Sequence, residues 1–213
     1  MSKILFLLTG TTSGLGHELE KLFVKEKIDY ITINRNDVDL SNTEDVDEFI
    51  SGLRQKIFSK YHDFKIVFIN NAATISKPRP LNLYESRDII KSINTNLLSP
   101  MLLLNLLSSI ENKWMVFNIT SGAATTYNKF LGLYSTAKLA FENYIKFIDL
   151  EAEEINCLWT FNYNPGTMKT SMHNDLKTNI FFKNKKFDKA IPKDVKIVAD
   201  EVWALLKKMV NND

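Results

Sequence analysis

The chain has a single cysteine, Cys157, among 213 residues, so it cannot form an intramolecular disulfide. The apolar run around it, Ile155 to Phe161, assigns it to a buried strand in a chain suited to a reducing cytoplasm. An excess of one charge is also lacking. Its 27 basic and 25 acidic residues leave a net charge of +2, which gives no general attraction to nucleic acid or to a membrane surface. No apolar stretch is long enough to span a bilayer, and the run Ile4 to Leu8 is too short for the core of a signal peptide. A soluble, unexported, cytoplasmic protein is expected. The three histidines, His17, His62 and His173, are widely spaced and match no metal motif, so helix-surface or loop roles are expected for them. Repeats, low-complexity segments and linkers are missing too, and 45% hydrophobic content lets residues 1–213 bury one core as a single domain.

What the chain does have is alternation. Lys3 to Thr9, Tyr30 to Asn34, Lys65 to Asn70, Trp114 to Ile119 and Asn156 to Tyr163 read as buried strands separated by amphipathic stretches of helix length. This pattern predicts a doubly wound α/β fold of Rossmann type, a parallel sheet flanked by helices on both faces. Ligands bind beyond the carboxyl ends of the strands in such sheets, so the residues just after each strand carry most of the information.

The first strand leads into Thr9-Gly10-Thr-Thr12-Ser13-Gly14-Leu15-Gly16 and then directly into a helical pattern. Glycines there permit positive φ and close backbone approach, and a helix start offers free N–H groups and partial positive charge to a pyrophosphate. Further on, Tyr134-Ser-Thr-Ala-Lys138 sets a phenol and an ammonium four residues apart on one helix face. A free tyrosine titrates near pH ~10 and a nearby cation lowers that by roughly one to three units, which suits a general acid and base. Ser121, thirteen residues upstream, adds a hydroxyl.

The TGxxxGxG turn and the YxxxK pair together resemble the short-chain dehydrogenase/reductase family, in its non-extended, carbonyl reductase-like form, over almost the whole chain. Extended relatives that epimerise nucleotide sugars carry TGxxGxxG and a longer C-terminal domain, which this sequence lacks. The resemblance implies that Gly10, Thr12, Ser13, Gly14, Leu15 and Gly16 hold the cofactor. It also implies that Asn70 braces the sheet and that Asn71 and Ala72 line the adenosine side, with Ala73 in place of the family's usual glycine. Register against Leu97-Leu-Ser-Pro100 selects Asn96, rather than Asn94, as the fourth catalytic residue. Pro100 has no N–H to bond the carbonyl of residue 96, which frees that carbonyl for the water through which the family relays protons from its active-site lysine. The interval to Tyr134 favours Ser121 over its neighbour Thr120 as the hydroxyl that holds the substrate oxygen. Pro165-Gly166-Thr167-Met168-Lys169-Thr170 resembles PGxxxT, which contacts the nicotinamide carboxamide and the diphosphate.

By the same resemblance, hydride passes between the nicotinamide and a substrate carbonyl while Tyr134 exchanges the proton. Lys138 bonds the nicotinamide ribose and lowers the Tyr134 pKa. No metal is needed. The second strand ends in Ile33-Asn34-Arg35-Asn36, without the carboxylate that NAD-dependent relatives present to the ribose hydroxyls. Arg35, one of only four arginines, suits a 2′-phosphate, while Asp39 and Leu40 match the pair beside the adenine, so NADP(H) is expected over NAD(H). The rival reading is a non-catalytic NADP-binding regulatory or structural protein on the same fold. Its usual sign, loss of Ser, Tyr or Lys, is not seen.

The segment 168–191 occupies the place of the family's substrate lid. It interleaves Lys169, Lys177, Lys183, Lys185, Lys186 and Lys189 with Phe181, Phe182 and Phe187, which suggests an acidic or aromatic carbonyl substrate; the alternative is a solvated loop whose phenylalanines pack on the domain. Asp194 to Met209 reads as one amphipathic helix. Since the final edge strand of many relatives is lacking, a six-stranded sheet is expected, with the sixth strand near Ala73 to Leu81 or in the lid. Leu97 to Ile110 is leucine-rich nearly all round, which suggests a homodimer through the helices bearing Asn96 and Tyr134.

Overall fold

The apolar runs pair edge to edge in the computed structural model, which describes residues 3–211. The strands are β1 (Ile4–Thr9), β2 (Asp29–Ile33), β3 (Lys65–Asn70), β4 (Trp114–Ile119) and β5 (Cys157–Tyr163). All are parallel, in the order β2-β1-β3-β4-β5. Parallel neighbours need long crossovers, and helices supply them: α1 (Gly14–Glu26), α2 (Thr43–Lys60), α3 (Ser86–Ile93), α4 (Ser99–Ser108) and α5 (Gly132–Leu150). After β5 come α6 (Ser171–Thr178), α7 (Lys185–Lys189) and α8 (Val195–Val210).

The strands are apolar on both faces because both faces are covered. Leu5, Leu7, Ile66, Phe68 and Val116 pack with residues of α2, α4 and α5. The alternate set, Phe6, Leu8, Val67, Ile69 and Phe117, packs with α1 and α8, where the Trp203 ring meets Phe6 and Phe23 at centroid distances of 5.5 and 5.1 Å. Each large side chain fully removed from water in these two layers contributes about 1.5–3 kcal/mol, so the sheet is fixed from both sides.

The sheet has five strands among the described residues, one fewer than expected. Residues 73–80 form no strand, and Pro78 and Pro80 bring no N–H to a ladder there. The segment 168–191 contributes only an isolated bridge, Met168 to Lys193.

At their carboxyl ends β3, β4 and β5 are tied by a chain of side-chain amides in register, buried at Asn70 and Asn118. Asn70 Nδ2 donates to Asn118 Oδ1 at 2.9 Å, and Asn118 Nδ2 donates to Asn162 Oδ1 at 2.7 Å. Between α3 and α4 the helix widens into a π segment, Asn94–Leu98, just before buried Pro100. The missing proline N–H forces a local change in the hydrogen-bond ladder, and here it takes the form of a π turn.

Candidate active site

The carboxyl edge of the sheet opens into a cavity of 890 Å³, within the range of small-molecule sites. At its floor lies the turn after β1, where Gly10 and Gly14 have φ of 74° and 64°, a region costly for other residues. A Cβ on Gly10 would stand 2.8 Å from the Ala72 backbone. Asn71 fastens this turn, donating from Nδ2 to the carbonyls of Thr9 and Gly10 at 2.9 and 3.0 Å. The N-cap of α1, Ser13, makes no side-chain cap bond and no acidic residue stands in the first turn, so the helix start is left to an anion. Thr170 faces the same turn, its Cγ2 lying 3.6 Å from where a Gly14 Cβ would be.

Gly16 does not line the cavity with the other turn residues. A Cβ there would meet the Gly10 carbonyl at 2.3 Å and Asn71 Nδ2 at 2.5 Å, so this glycine lets α1 close against the turn. Its contribution is packing.

Beyond the end of β2, Arg35 is exposed on the cavity rim with Asp39, Leu40 and Lys91. Asp37, a carboxylate close to the end of β2, is drawn instead into its own turn, where its Oδ2 accepts from the Asn34 N–H at 2.9 Å. The Asp39 carboxyl is held below its ordinary range by the Ser41 N–H and hydroxyl, with help from Lys91 and Arg35. The cavity rim therefore carries two cations and one well-satisfied carboxylate.

Ser121, Tyr134 and Lys138 come together on another wall of the cavity. Ser121 follows β4 by two residues and caps the short turn after it, its oxygen accepting from the Ala123 N–H at 3.2 Å. Tyr134 and Lys138 share one face of α5, both buried. Burial pushes the Tyr134 phenol above its ordinary value and Ser121 draws it partly back. The expected lowering of this phenol by Lys138 is not what the structure gives, because desolvation of a phenolate outweighs the available hydrogen bond. Lys138 is itself lowered to about 8 by burial, opposed by the charge of Glu142, and its ammonium donates to the Ile119 carbonyl at 2.9 Å.

Asn96 is buried but is not part of the cavity wall. Its side chain accepts from the Thr74 N–H at 2.9 Å and donates to the Thr74 carbonyl at 2.8 Å, clasping the loop after β3. The remaining predicted residues, Thr12, Ser13, Leu15, Ala72, Pro165, Gly166, Thr167 and Met168, all line the cavity.

In the segment 168–191 the described lysines point to solvent and none lines the cavity, while the Lys186 side chain lies outside the described residues. Phe182 and Phe187 turn inward onto Leu131 and Leu176. The acidic-substrate half of the lid expectation thus finds no described lid lysine on the cavity wall, and the aromatic half keeps its rings. His173, expected to have a plain surface or loop role, lies in α6 with its ring 4.9 Å from that of Phe187.

Four contributors were not found by sequence reasoning. Glu142 continues the Tyr134, Lys138 spacing by one more helical turn and hydrogen-bonds the Thr120 hydroxyl, a signal that extending the motif would have caught. Thr120 enters the sequence argument only as the neighbouring alternative to Ser121. Lys91 and His173 reach the cavity through tertiary packing alone and leave no local trace. Among the described residues no group of three or more His, Cys, Asp or Glu could hold a metal ion, and no helix is long and apolar enough to cross a membrane.

Comparison with known proteins follows the same lines. The family model described as short chain dehydrogenase matches residues 5–180. A benzil reductase, (S)-benzoin forming, from Bacillus cereus is 25% identical over 199 residues, covering 80% of this chain and 78% of that protein. Among solved structures, 4-hydroxyisoleucine dehydrogenase complexed with NADH superposes with a TM-score of 0.77 at 19% identity, covering 96% of this chain and 90% of that one. A short chain dehydrogenase from Burkholderia cenocepacia in complex with NADP superposes with a TM-score of 0.69 at 17% identity, covering 97% and 85%.

Proposed function

The chain belongs to the short-chain dehydrogenase family, and on that premise we propose that it is an NADP(H)-dependent reductase that turns a carbonyl into an alcohol. The observation that carries this reading is that Ser121, Tyr134 and Lys138 share one cavity with the glycine turn at the start of α1. The residues fit a dinucleotide: Gly10 lets the backbone close up at the turn, the α1 start is uncapped, and Thr170 stands opposite. Arg35, with Lys91 beside it, would hold a 2′-phosphate, while Asp37 is engaged elsewhere.

When bound, the cofactor supplies the hydride. Tyr134 is placed to give its proton to the carbonyl oxygen, although its burial disfavours the phenolate that is left. Ser121 steadies that oxygen with its hydroxyl. Lys138, charged below about pH 8, returns a proton toward Tyr134 and anchors the nicotinamide ribose. The carbonyl of Asn96, without a partner N–H at Pro100, holds the water that links Lys138 to solvent.

The lid is the segment 168–191, and the domain is the whole chain. Leu98, Leu139, Phe147 and Leu150 are exposed on the helices that carry Asn96 and Tyr134, and a second copy of the chain covers them in a homodimer. Most of the leucines of α4 are already buried by the chain's own core, so this contact rests on α5 more than the sequence pattern suggested.

The test is NADPH consumption across ketones, aldehydes, quinones and diketones. Benzil comes first because the Bacillus cereus relative is named for it. Tyr134→Phe removes the transferable proton and leaves the packing of the ring, so turnover falls by at least about a hundredfold while NADPH binds as before. Retained turnover in that variant refutes the assignment.

A further inference from the structure

In the π turn between α3 and α4 the Ser99 N–H bonds the Asn94 carbonyl, five residues back instead of four. Residues five apart lie about 140° apart around an α-helix, and the wider π turn brings them toward one face. Asn94 and Ser99 accordingly reach the same loop. Asn94 Nδ2 donates to the Ser41 carbonyl at 2.8 Å, and the buried Ser99 hydroxyl donates to the Leu40 carbonyl at 2.6 Å. Asn96, between them in sequence, is turned to a different loop, the one after β3, through its two bonds to Thr74.

The loop that Asn94 and Ser99 hold borders the cavity, where Asp39 and Leu40 stand with Arg35. It leaves β2, an edge strand, at Ile33 and enters α2 at Thr43. Bonds within the loop set its shape: Asp37 accepts from the Asn34 N–H, and Asp39 from the Ser41 N–H and hydroxyl. Its place is set by Val38 and Leu40 packing on the core and, among the described residues, by the two long-range hydrogen bonds from the π turn. Lys91, three residues before Asn94, lines the same rim and helps hold the Asp39 carboxyl low. Neither Asn94 nor Ser99 lines the cavity.

We propose that Asn94 and Ser99 are positioning residues of the cofactor site, which fix residues 39–41 at the cavity rim and so set dinucleotide affinity without touching the dinucleotide. The half they serve is the adenosine half, because the rim around Arg35 takes the 2′-phosphate in the reading above, on which this inference rests. Pro100, by widening the helix, puts both donors on one face. The loop at the rim and the loop after β3 are thereby placed by a single turn of helix.

Asn94→Ala and Ser99→Ala each delete one donor and add no bulk. NADPH, NADH and 2′,5′-ADP, the last as a competitor, are titrated against the wild type and both variants by cofactor fluorescence, and turnover is followed at saturating NADPH. Each variant weakens all three ligands by a similar factor, about three- to tenfold, the range of one hydrogen bond. KM for NADPH rises with it, and kcat at saturating NADPH stays within about twofold. A lost phosphate contact would spare NADH, and a general loosening of the fold would lower kcat as well. Unchanged affinities in either variant, a loss confined to NADPH, or a fall in kcat with affinity kept overturns the proposal. The titrations need no turnover, so they decide it even where no tested carbonyl is reduced. A wild type that binds none of the three ligands refutes the dinucleotide reading itself, and the positioning role falls with it.

Discussion

Replacing Arg35 by serine separates the two nicotinamide cofactors. The guanidinium is exposed at the cavity rim, Asp37 is committed to the Asn34 N–H, and Asp39 is satisfied by Ser41, so Arg35 is the cation most available to a 2′-phosphate. Hydrogen bonds to charged groups contribute about 1.5–3 kcal/mol, and an exposed position cuts that toward about 1 kcal/mol through screening and side-chain entropy. Lys91 remains in the variant and keeps part of the attraction. The NADPH dissociation constant of Arg35→Ser therefore rises about five- to tenfold at low salt, and that of NADH moves by less than about twofold. Fluorescence titration of both reduced cofactors into both proteins gives the four constants. A repeat near 1 M salt, where the screening length falls to about 3 Å, shrinks the wild-type preference for NADPH. Equal wild-type affinities for NADPH and NADH, or equal weakening of both in the variant, refute the argument from Arg35.

Two further perturbations test the site from behind. Glu142→Gln keeps an acceptor for the Thr120 hydroxyl and removes a charge that raises Lys138, so Lys138 loses its proton at lower pH than in the wild type. The alkaline limb of the kcat profile that tracks Lys138, near pH 8 in the wild type, moves to lower pH, and an unmoved limb rejects the coupling. Gly16→Ala drives a methyl against the Gly10 carbonyl at 2.3 Å, a backbone atom with no easy retreat. Overpacking of this kind costs about 3 kcal/mol, which lowers Tm by about 6–12 °C in a domain of this size, and an unchanged melting curve contradicts the packing role.

The sequence made the sheet legible because a covered parallel strand must be apolar on both faces, as β1, β3 and β4 are. The edge strands β2 and β5 keep enough apolar and aromatic residues to read as strands despite Asp29, Thr32, Thr160 and Asn162. Turn chemistry made the glycine loop legible, since positive φ at Gly10 and Gly14 restricts the choice of residue. The Tyr134 to Lys138 spacing marked one helix face, yet it could not show how deeply that face is buried. Depth reversed the expected pKa direction of Tyr134. A sixth strand was inferred by counting, and Pro78 and Pro80 already argued against placing it near residues 73–81. His173 and Lys91 were out of reach of local reasoning because each acquires its neighbours only when distant segments meet.

Burial of Lys138 also explains why Glu142 belongs to the catalytic wall without touching the cavity. An ammonium almost sealed from water is unstable as a cation unless a carbonyl and a counter-charge offset the lost hydration. Ile119 supplies the carbonyl from the last residue of β4, and Glu142 supplies the charge from the next turn of α5. The same carboxylate accepts from the Thr120 hydroxyl, so the end of β4 and the α5 face are joined at two successive points: Lys138 to Ile119 and Thr120 to Glu142. A shift of α5 along β4 would break both together, which makes the placing of Tyr134 relative to Ser121, the next residue along, a property of the strand–helix pair rather than of two mobile side chains.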